Sequence, residues 1–403
     1  MSLAWLLVAL LVALLAAGAL AATWFVADRV ARSALVPAPY GLQPEFTVLE
    51  VERREPDEAG RPVAHVRLPL ATAERGGPEQ VRQFARVDAE GRFGLMWDDA
   101  GRIGHGELGP VLARDAAGVT RQLVVVEGAL PTAGAEARLD ATLFRRDPER
   151  DHGLAFEDVR IAGPVGAIAA WWLPAEGDAA VVMVHGRRRG ERNEALRALP
   201  TVVASGASVL VTSYRNHDRS DPGPDGLFHY GASEADDLLA ALAWLRGRGV
   251  ERVVLVTYSM GGAVALLARE RWPADGPELL GVTMDAPLVD PAAVITHGAR
   301  RAGLPAPLAR VGVALASRRI GVDLAGLDLR ARAGTLDVPL LLHATTRDGT
   351  IPIALVDAFA AAVPAALLDY RRLDAGDHVE AWNLDPDGYE AALAAFLSAR
   401  LRP

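Results

Sequence analysis

The chain has 403 residues, 51% hydrophobic and 23% charged, with a net charge of −9 at neutral pH. That acidic balance, with no basic patch interleaved with aromatics, excludes a nucleic-acid partner on electrostatic grounds. All 42 basic residues are arginine and there is no cysteine, which excludes Schiff-base chemistry, a Walker lysine, a thiol nucleophile, disulfides and cysteine-ligated metals.

From Leu3 to Ala27 the chain carries no charge, and Trp5 and Trp24-Phe25 stand near the two ends of this run. About 20 apolar residues span a bilayer core as a helix, so a transmembrane anchor is predicted over residues 1–28, with membrane contact through 3–27. A cleaved signal peptide is the alternative, suggested by the small residues from Ala19 to Ala22. Arg29 and Arg32 follow the run, and the positive-inside rule then puts the remainder in the cytoplasm. Pro37, Pro39 and Pro44 mark residues 29–45 as a linker.

Residues 46–155 carry short alternating or β-branched stretches at Phe46 to Val51, Val63 to Leu68, Val81 to Val87 and Leu123 to Val126, separated by turns such as Asp88-Ala89-Glu90-Gly91. They predict a small β-rich accessory module. His65, His105 and His152 are scattered through it and form no ligand cluster.

Beyond residue 156, strand-like and helix-like runs alternate. Strands are predicted at Val165 to Trp172, Ala180 to Val184, Ser208 to Thr212, Val253 to Thr257, Gly281 to Met284, Leu340 to His343 and Leu367 to Leu373. Helices are predicted around Glu191 to Ser205, Ser233 to Arg246, Ile353 to Ala362 and Gly388 to Leu401. Such alternation implies an α/β fold with a mostly parallel sheet and helices on both faces, and ligands bind at the carboxyl ends of such strands.

Chemistry-bearing residues fall at those ends. In Val256-Thr257-Tyr258-Ser259-Met260-Gly261-Gly262 an apolar strand turns through a serine into a helix. The helix N-terminus offers free N–H groups and a positive dipole to a developing oxyanion. The run resembles the nucleophile elbow of the α/β-hydrolase superfamily, with Thr257 where that pattern has a glycine; a helix cap is the competing reading. The resemblance covers residues 156–403 and implies Ser259 as nucleophile. It also implies that His185-Gly186-Arg187 shapes an oxyanion loop, with the N–H groups of Arg187 and Met260 as donors, Gly186 letting the backbone turn toward the substrate, His185 bracing the loop, and Gly261 and Gly262 opening the helix. In Thr346-Arg347-Asp348-Gly349 it implies Asp348 as the acid, with Asp285 as the rival. In Gly376-Asp377-His378 it implies His378 as the base. The order Ser259, Asp348, His378 is that of α/β-hydrolases. The insertion of about 290–337, with His297, Arg300, Arg301, Arg318 and Arg319, is expected to form a small helical cap over the site, while His343 is expected to be buried structure.

These residues point to a serine hydrolase that cleaves a small-molecule or lipid-like ester through an acyl-enzyme, with no metal or cofactor. A peptidase, amidase or thioesterase on the same parts, and a silent membrane-tethered binding module, are the alternatives.

Overall fold

The computed structural model describes residues 3–37, 44–70, 87–187 and 191–401. Helix α1 (Leu3–Leu35) comes first. The side chains of residues 3–9, 11–16 and 19 lie outside the described set, and with them much of the predicted anchor. Among the described residues, no helix is long and apolar enough to cross a membrane. The helix continues to Leu35, so the first residues of the predicted linker form its last two turns. Ala27, Val30, Ala31, Ala34 and Leu35 of those turns are buried.

Seven strands follow: β1 (Phe46–Thr47), β2 (Glu50–Arg54), β3 (Val63–Pro69), β4 (Phe93–Asp99), β5 (Arg102–Arg114), β6 (Gly118–Glu127) and β7 (Glu136–Asp140). They form one antiparallel sheet in the order β1-β7-β4-β5-β6-β3-β2. The strand predicted at Val81 to Val87 lies outside the described residues except for its last residue. In β6, Val119, Leu123 and Val125 face the module's core, and so does Arg121. Arg121 donates to the carbonyls of Gly109, Val87, Ala89 and Gly91, which satisfies the buried guanidinium and ties down the preceding loop. Burial alone pushes its pKa down to about 10.

After a short helix, α2 (Pro148–His152), the second sheet begins with β8 (Glu157–Ala162), β9 (Ala167–Leu173) and β10 (Ala179–Val184). Then come α3 (Leu199–Val203), β11 (Ser208–Thr212), α4 (Glu234–Arg246), β12 (Arg252–Tyr258), α5 (Met260–Arg269) and β13 (Glu278–Asp285). The chain closes with α6 (Pro291–Arg301), α7 (Ala306–Ile320), β14 (Leu340–Thr345), α8 (Ile353–Ala362), β15 (Leu368–Leu373), α9 (Ala381–Leu384) and α10 (Pro386–Leu401). The order is β15-β14-β13-β12-β10-β11-β9-β8. Strands β10 to β15 run parallel, while β9 and β8 pair antiparallel at one edge, so the predicted parallel sheet has an antiparallel margin. The central strands are buried on both faces: Ala180, Val182 and Val184 of β10 enter one core cluster, and Val181 and Met183 the other. That two-sided burial is why they read as unbroken apolar runs.

The insertion of about 290–337 folds into α6 and α7. Helix α7 crosses α1 at Gly312, where a Cβ would lie 2.6 Å from Val30 Cγ1, so the two helices meet only because this position is bare. Asp28 of α1 pairs with Arg32 at 2.6 Å and with Arg319 of α7.

Candidate active site

Strand β12 ends at Tyr258 and α5 starts at Met260, so the whole reversal falls on Ser259. Its φ of 49° and ψ of −115° lie outside the regions a non-glycine residue ordinarily takes, a strain of about 1–3 kcal/mol in comparable cases. The surrounding backbone holds it there: Ser259 N–H donates to Asp285 O, and the Ser259 carbonyl accepts from Gly262 and Leu288. The close approach requires glycines. A Cβ on Gly261 would lie 2.4 Å from the Val184 carbonyl oxygen, and one on Gly186 would lie 2.9 Å from Ser259 Cβ. Thr257 fits in place of the expected glycine because its buried hydroxyl donates across to the Thr283 carbonyl at 2.9 Å.

His378 follows β15 and reaches back to the turn. Its Nε2 lies 2.8 Å from Ser259 Oγ, and its Nδ1 lies 2.7 Å from Asp348 Oδ2. The other Asp348 oxygen accepts from the backbone of Thr350 and Ile351 at 2.7 and 2.8 Å, which locks the carboxylate toward the imidazole. Burial draws the His378 pKa down, but the charge and hydrogen bond of Asp348 outweigh it, with help from Asp377 and Glu194; the net shift is upward.

Asp285, the rival acid, ends the neighbouring strand β13 but makes no such contact. Neither of its carboxylate oxygens has a hydrogen-bond partner among the described residues, and burial raises its pKa to about 7 against the pull of Arg197 and His378. The structure therefore puts Asp348, and not Asp285, against Nδ1.

The loop after β10 is braced from three sides. Gly186 N–H donates to Glu194 at 2.6 Å, Tyr214 hydroxyl donates to the Gly186 carbonyl at 2.7 Å, and His217 Nε2 lies 2.9 Å from the Arg187 carbonyl. His185 is buried against Ser213 and stacks on Tyr214, so its ring is a structural brace. Met260 is the first residue of α5, where backbone N–H groups have no partner within the helix. The Arg187 guanidinium turns away from the loop, donating to the Ala34 carbonyl of α1 and to Tyr230.

Three residues that the sequence did not single out organise these loops. Glu194 holds Gly186, and Arg197 donates to the Val379 carbonyl at 2.9 Å beside His378. Asn383 accepts from Arg197 and donates to the Arg92 and Ala141 carbonyls of the accessory module. None carries a sequence signal: Arg197 and Asn383 act on partners remote in the chain, and Glu194 acts across the loop on a backbone N–H. His343 is buried and stacks on Tyr389, with its pKa pushed down to about 4 by burial, as its strand position suggested.

A serine at a strained strand-to-helix turn, below the carboxyl ends of a doubly covered sheet, defines a class of fold. The part of the chain that carries the second sheet has the α/β-hydrolase fold. The esterase Pf2001 of Pyrococcus furiosus is similar over 64% of this chain and 97% of that chain, with a TM-score of 0.52 and 20% identity. A second crystal form of it gives a TM-score of 0.51 at 20% identity, over 64% of this chain and 95% of that one. A domain of unknown function, DUF8805, matches residues 85–140, within the accessory module. No curated protein matches the chain.

Proposed function

We propose that the protein is a serine hydrolase that cleaves esters through an acyl-enzyme. The observation that carries this reading is the chain of two short hydrogen bonds from Ser259 through His378 to Asp348. Ser259 Oγ attacks the ester carbonyl while His378 Nε2 takes its proton, and Asp348 holds the ring in the tautomer with Nδ1 protonated and stabilises the imidazolium. The carbonyl oxygen, now negative, is received by the N–H groups of Met260 and Arg187. As the tetrahedral adduct collapses, His378 returns the proton to the departing alcohol. Water then attacks the acyl-enzyme with His378 again as base, releasing the acid and restoring Ser259. Each oxyanion donor in such a site contributes about 10²–10³ in rate.

The raised pKa of His378 supports the assignment, since a base that becomes charged at the transition state gains from a fixed carboxylate. The same parts serve an amidase or thioesterase, and substrate comparison separates them. We further infer from the uncharged run Leu3 to Ala27 that the N-terminal part of α1 attaches the enzyme to a membrane. The test of the catalytic reading is hydrolysis of p-nitrophenyl esters of graded chain length. Activity is expected in the native protein and should fall at least about 10³-fold in Ser259→Ala, whose fold is unchanged. Near-native turnover by that variant excludes Ser259 as nucleophile.

A further inference from the structure

The loop that carries His378 is held in a conformation its own sequence resists. Val379, directly after the histidine, has a φ of 56°, in the left-handed region where a β-branched residue is rarely found. Such a conformation persists only where the surrounding contacts over-determine it. Those contacts come from outside the loop. The Val379 side chain is buried in a core cluster of the second sheet, and its carbonyl accepts from Arg197 Nη1 at 2.9 Å. The same nitrogen donates to Asn383 Oδ1 at 3.2 Å. Arg197 is itself buried, and its guanidinium lies 5.1 Å from the ring of Tyr258, the residue before Ser259.

Asn383 is fully buried, and its further side-chain partners belong to the accessory module. Its amide nitrogen donates to the Arg92 and Ala141 carbonyls at 2.7 and 2.9 Å, and its own carbonyl accepts from Arg92 N–H at 2.8 Å. A second path runs through the next residue. Leu384 packs against the core of the module and also lies over Gly376, where a Cβ would be 2.5 Å from Leu384 Cδ1. Gly376 precedes His378 and Val379 follows it, so contacts that originate in the module reach the histidine from both sides.

We propose that the accessory module is part of the catalytic apparatus: docked on Asn383, it holds Arg197 and the Val379 turn in the arrangement that aims His378 at Ser259. Asn383 and Arg197 are then positioning residues, because both act through Val379 and not on the substrate. The proposal rests on the serine-hydrolase reading above and adds to it a role for the module. The sensitivity is set by geometry. His378 Nε2 sits 2.8 Å from Ser259 Oγ, and a displacement of about 1 Å in such a constellation can cost about 10²-fold in rate.

The test uses the full-length protein and p-nitrophenyl butyrate, with kcat expressed per serine titrated by a fluorophosphonate, so that unfolded molecules are not counted. Asn383→Ala should lower kcat by about tenfold or more and leave KM within about twofold of native. Arg197→Met should do the same, and Arg197→Lys, which keeps a donor for the Val379 carbonyl, should recover part of the loss. Gly91→Ala puts a methyl group against the Asn383 carbonyl oxygen while changing only the module, and it should reproduce the fall in kcat. A contact that only stabilises the fold would lower the melting temperature and leave kcat per titrated serine native. That result in Asn383→Ala or in Gly91→Ala overturns the proposal. The His378 ring is also read without turnover, from the proton NMR signal of its Nδ1–H, assigned by its loss in His378→Gln. The signal should move in Asn383→Ala, and an unmoved signal overturns the positioning role. A moved signal in a protein that hydrolyses no ester and takes up no fluorophosphonate would contradict the hydrolase reading alone.

Discussion

Asp285 ends β13 and Asp348 lies in the loop just beyond neighbouring β14, and their surroundings differ. Asp348 is held by two backbone N–H groups and faces the imidazole at 2.7 Å, whereas Asp285 is buried with no hydrogen-bond partner for its carboxylate among the described residues. Asp348→Asn should therefore lower kcat/KM by about 10⁴, the cost of losing tautomer control in a protease triad, while Asp285→Asn should cost less than tenfold. Steady-state rates on one ester decide it, and the reverse ranking would move the acid to Asp285. The pH profile gives a second reading. Because the His378 pKa is raised, mainly by Asp348, and the free base is the active form, the acid limb of kcat/KM should fall at a pH above the ordinary histidine range. Asp348→Asn should shift that limb to lower pH. Asp285 also bears on stability. Its folded pKa of about 7 lies above its unfolded value near 3.9, so the folded state binds the extra proton and stability declines as pH rises between those values. Asp285→Asn should flatten that decline in thermal unfolding measured from pH 5 to 8; an unchanged slope would remove Asp285 as its source.

Helix α1 was expected to be an anchor separated by a linker from the domains beyond it, but its last turns are part of the core around the second sheet. Val30, Ala31, Ala34 and Leu35 belong to the same hydrophobic cluster as the central strands, and the Ala34 carbonyl accepts from Tyr230 hydroxyl at 2.9 Å and from Arg187. Deleting residues 1–25 should leave melting temperature and kcat close to native values. Deletion through Leu35 should cost several kcal/mol, since each buried Val or Leu contributes about 1.5–3 kcal/mol and the whole domain is stable by only about 5–15. Native melting behaviour in the longer deletion would refute the docking. Among the elements, β10, β11, β12 and β14 were legible because burial on both faces leaves largely apolar runs. Strands β5, β7 and β8 were not legible, for identifiable reasons. Strand β5 carries Gly104, Gly106 and Gly109, which weaken a strand signal, yet a Cβ at Gly104 would lie 2.2 Å from the Trp97 ring that covers it. Strand β7 is short and buries Arg138 and Asp140, and edge strand β8 is largely polar. At the site, Ser259, His378 and Asp348 were legible because the turn, the glycines and the chain order constrain them together. Glu194, Arg197 and Asn383 were not, because a polar side chain in a turn or short helix looks like any surface residue until its partner is known.

At the scale of the molecule, the accessory module is fastened to the hydrolase domain at the segment that follows His378. Arg92 N–H donates to the Asn383 carbonyl at 2.8 Å, Asn383 Nδ2 donates back to the Arg92 carbonyl at 2.7 Å, and the Arg92 guanidinium lies 5.2 Å from the Trp382 ring. A Cβ at Gly91 would lie 2.3 Å from the Asn383 carbonyl oxygen, so the two domains touch backbone to backbone. Removing the Asn383 side chain strands the Arg92 and Ala141 carbonyls and one Arg197 donor. Asn383→Ala should therefore lower stability by about 1–3 kcal/mol in denaturant unfolding, and an unchanged midpoint would show that the domains are not coupled there. Attachment to a membrane is tested by carbonate extraction: full-length protein should stay in the pellet, and release into the supernatant would contradict the anchor. The nucleophilic serine is the claim on which all else depends, and active-site labelling tests it most directly. A fluorophosphonate probe followed by peptide mass spectrometry should place a single covalent adduct on Ser259, lost in Ser259→Ala and greatly slowed in a variant lacking the His378 imidazole. A native protein that stays unlabelled, or an adduct on any other serine, would contradict it.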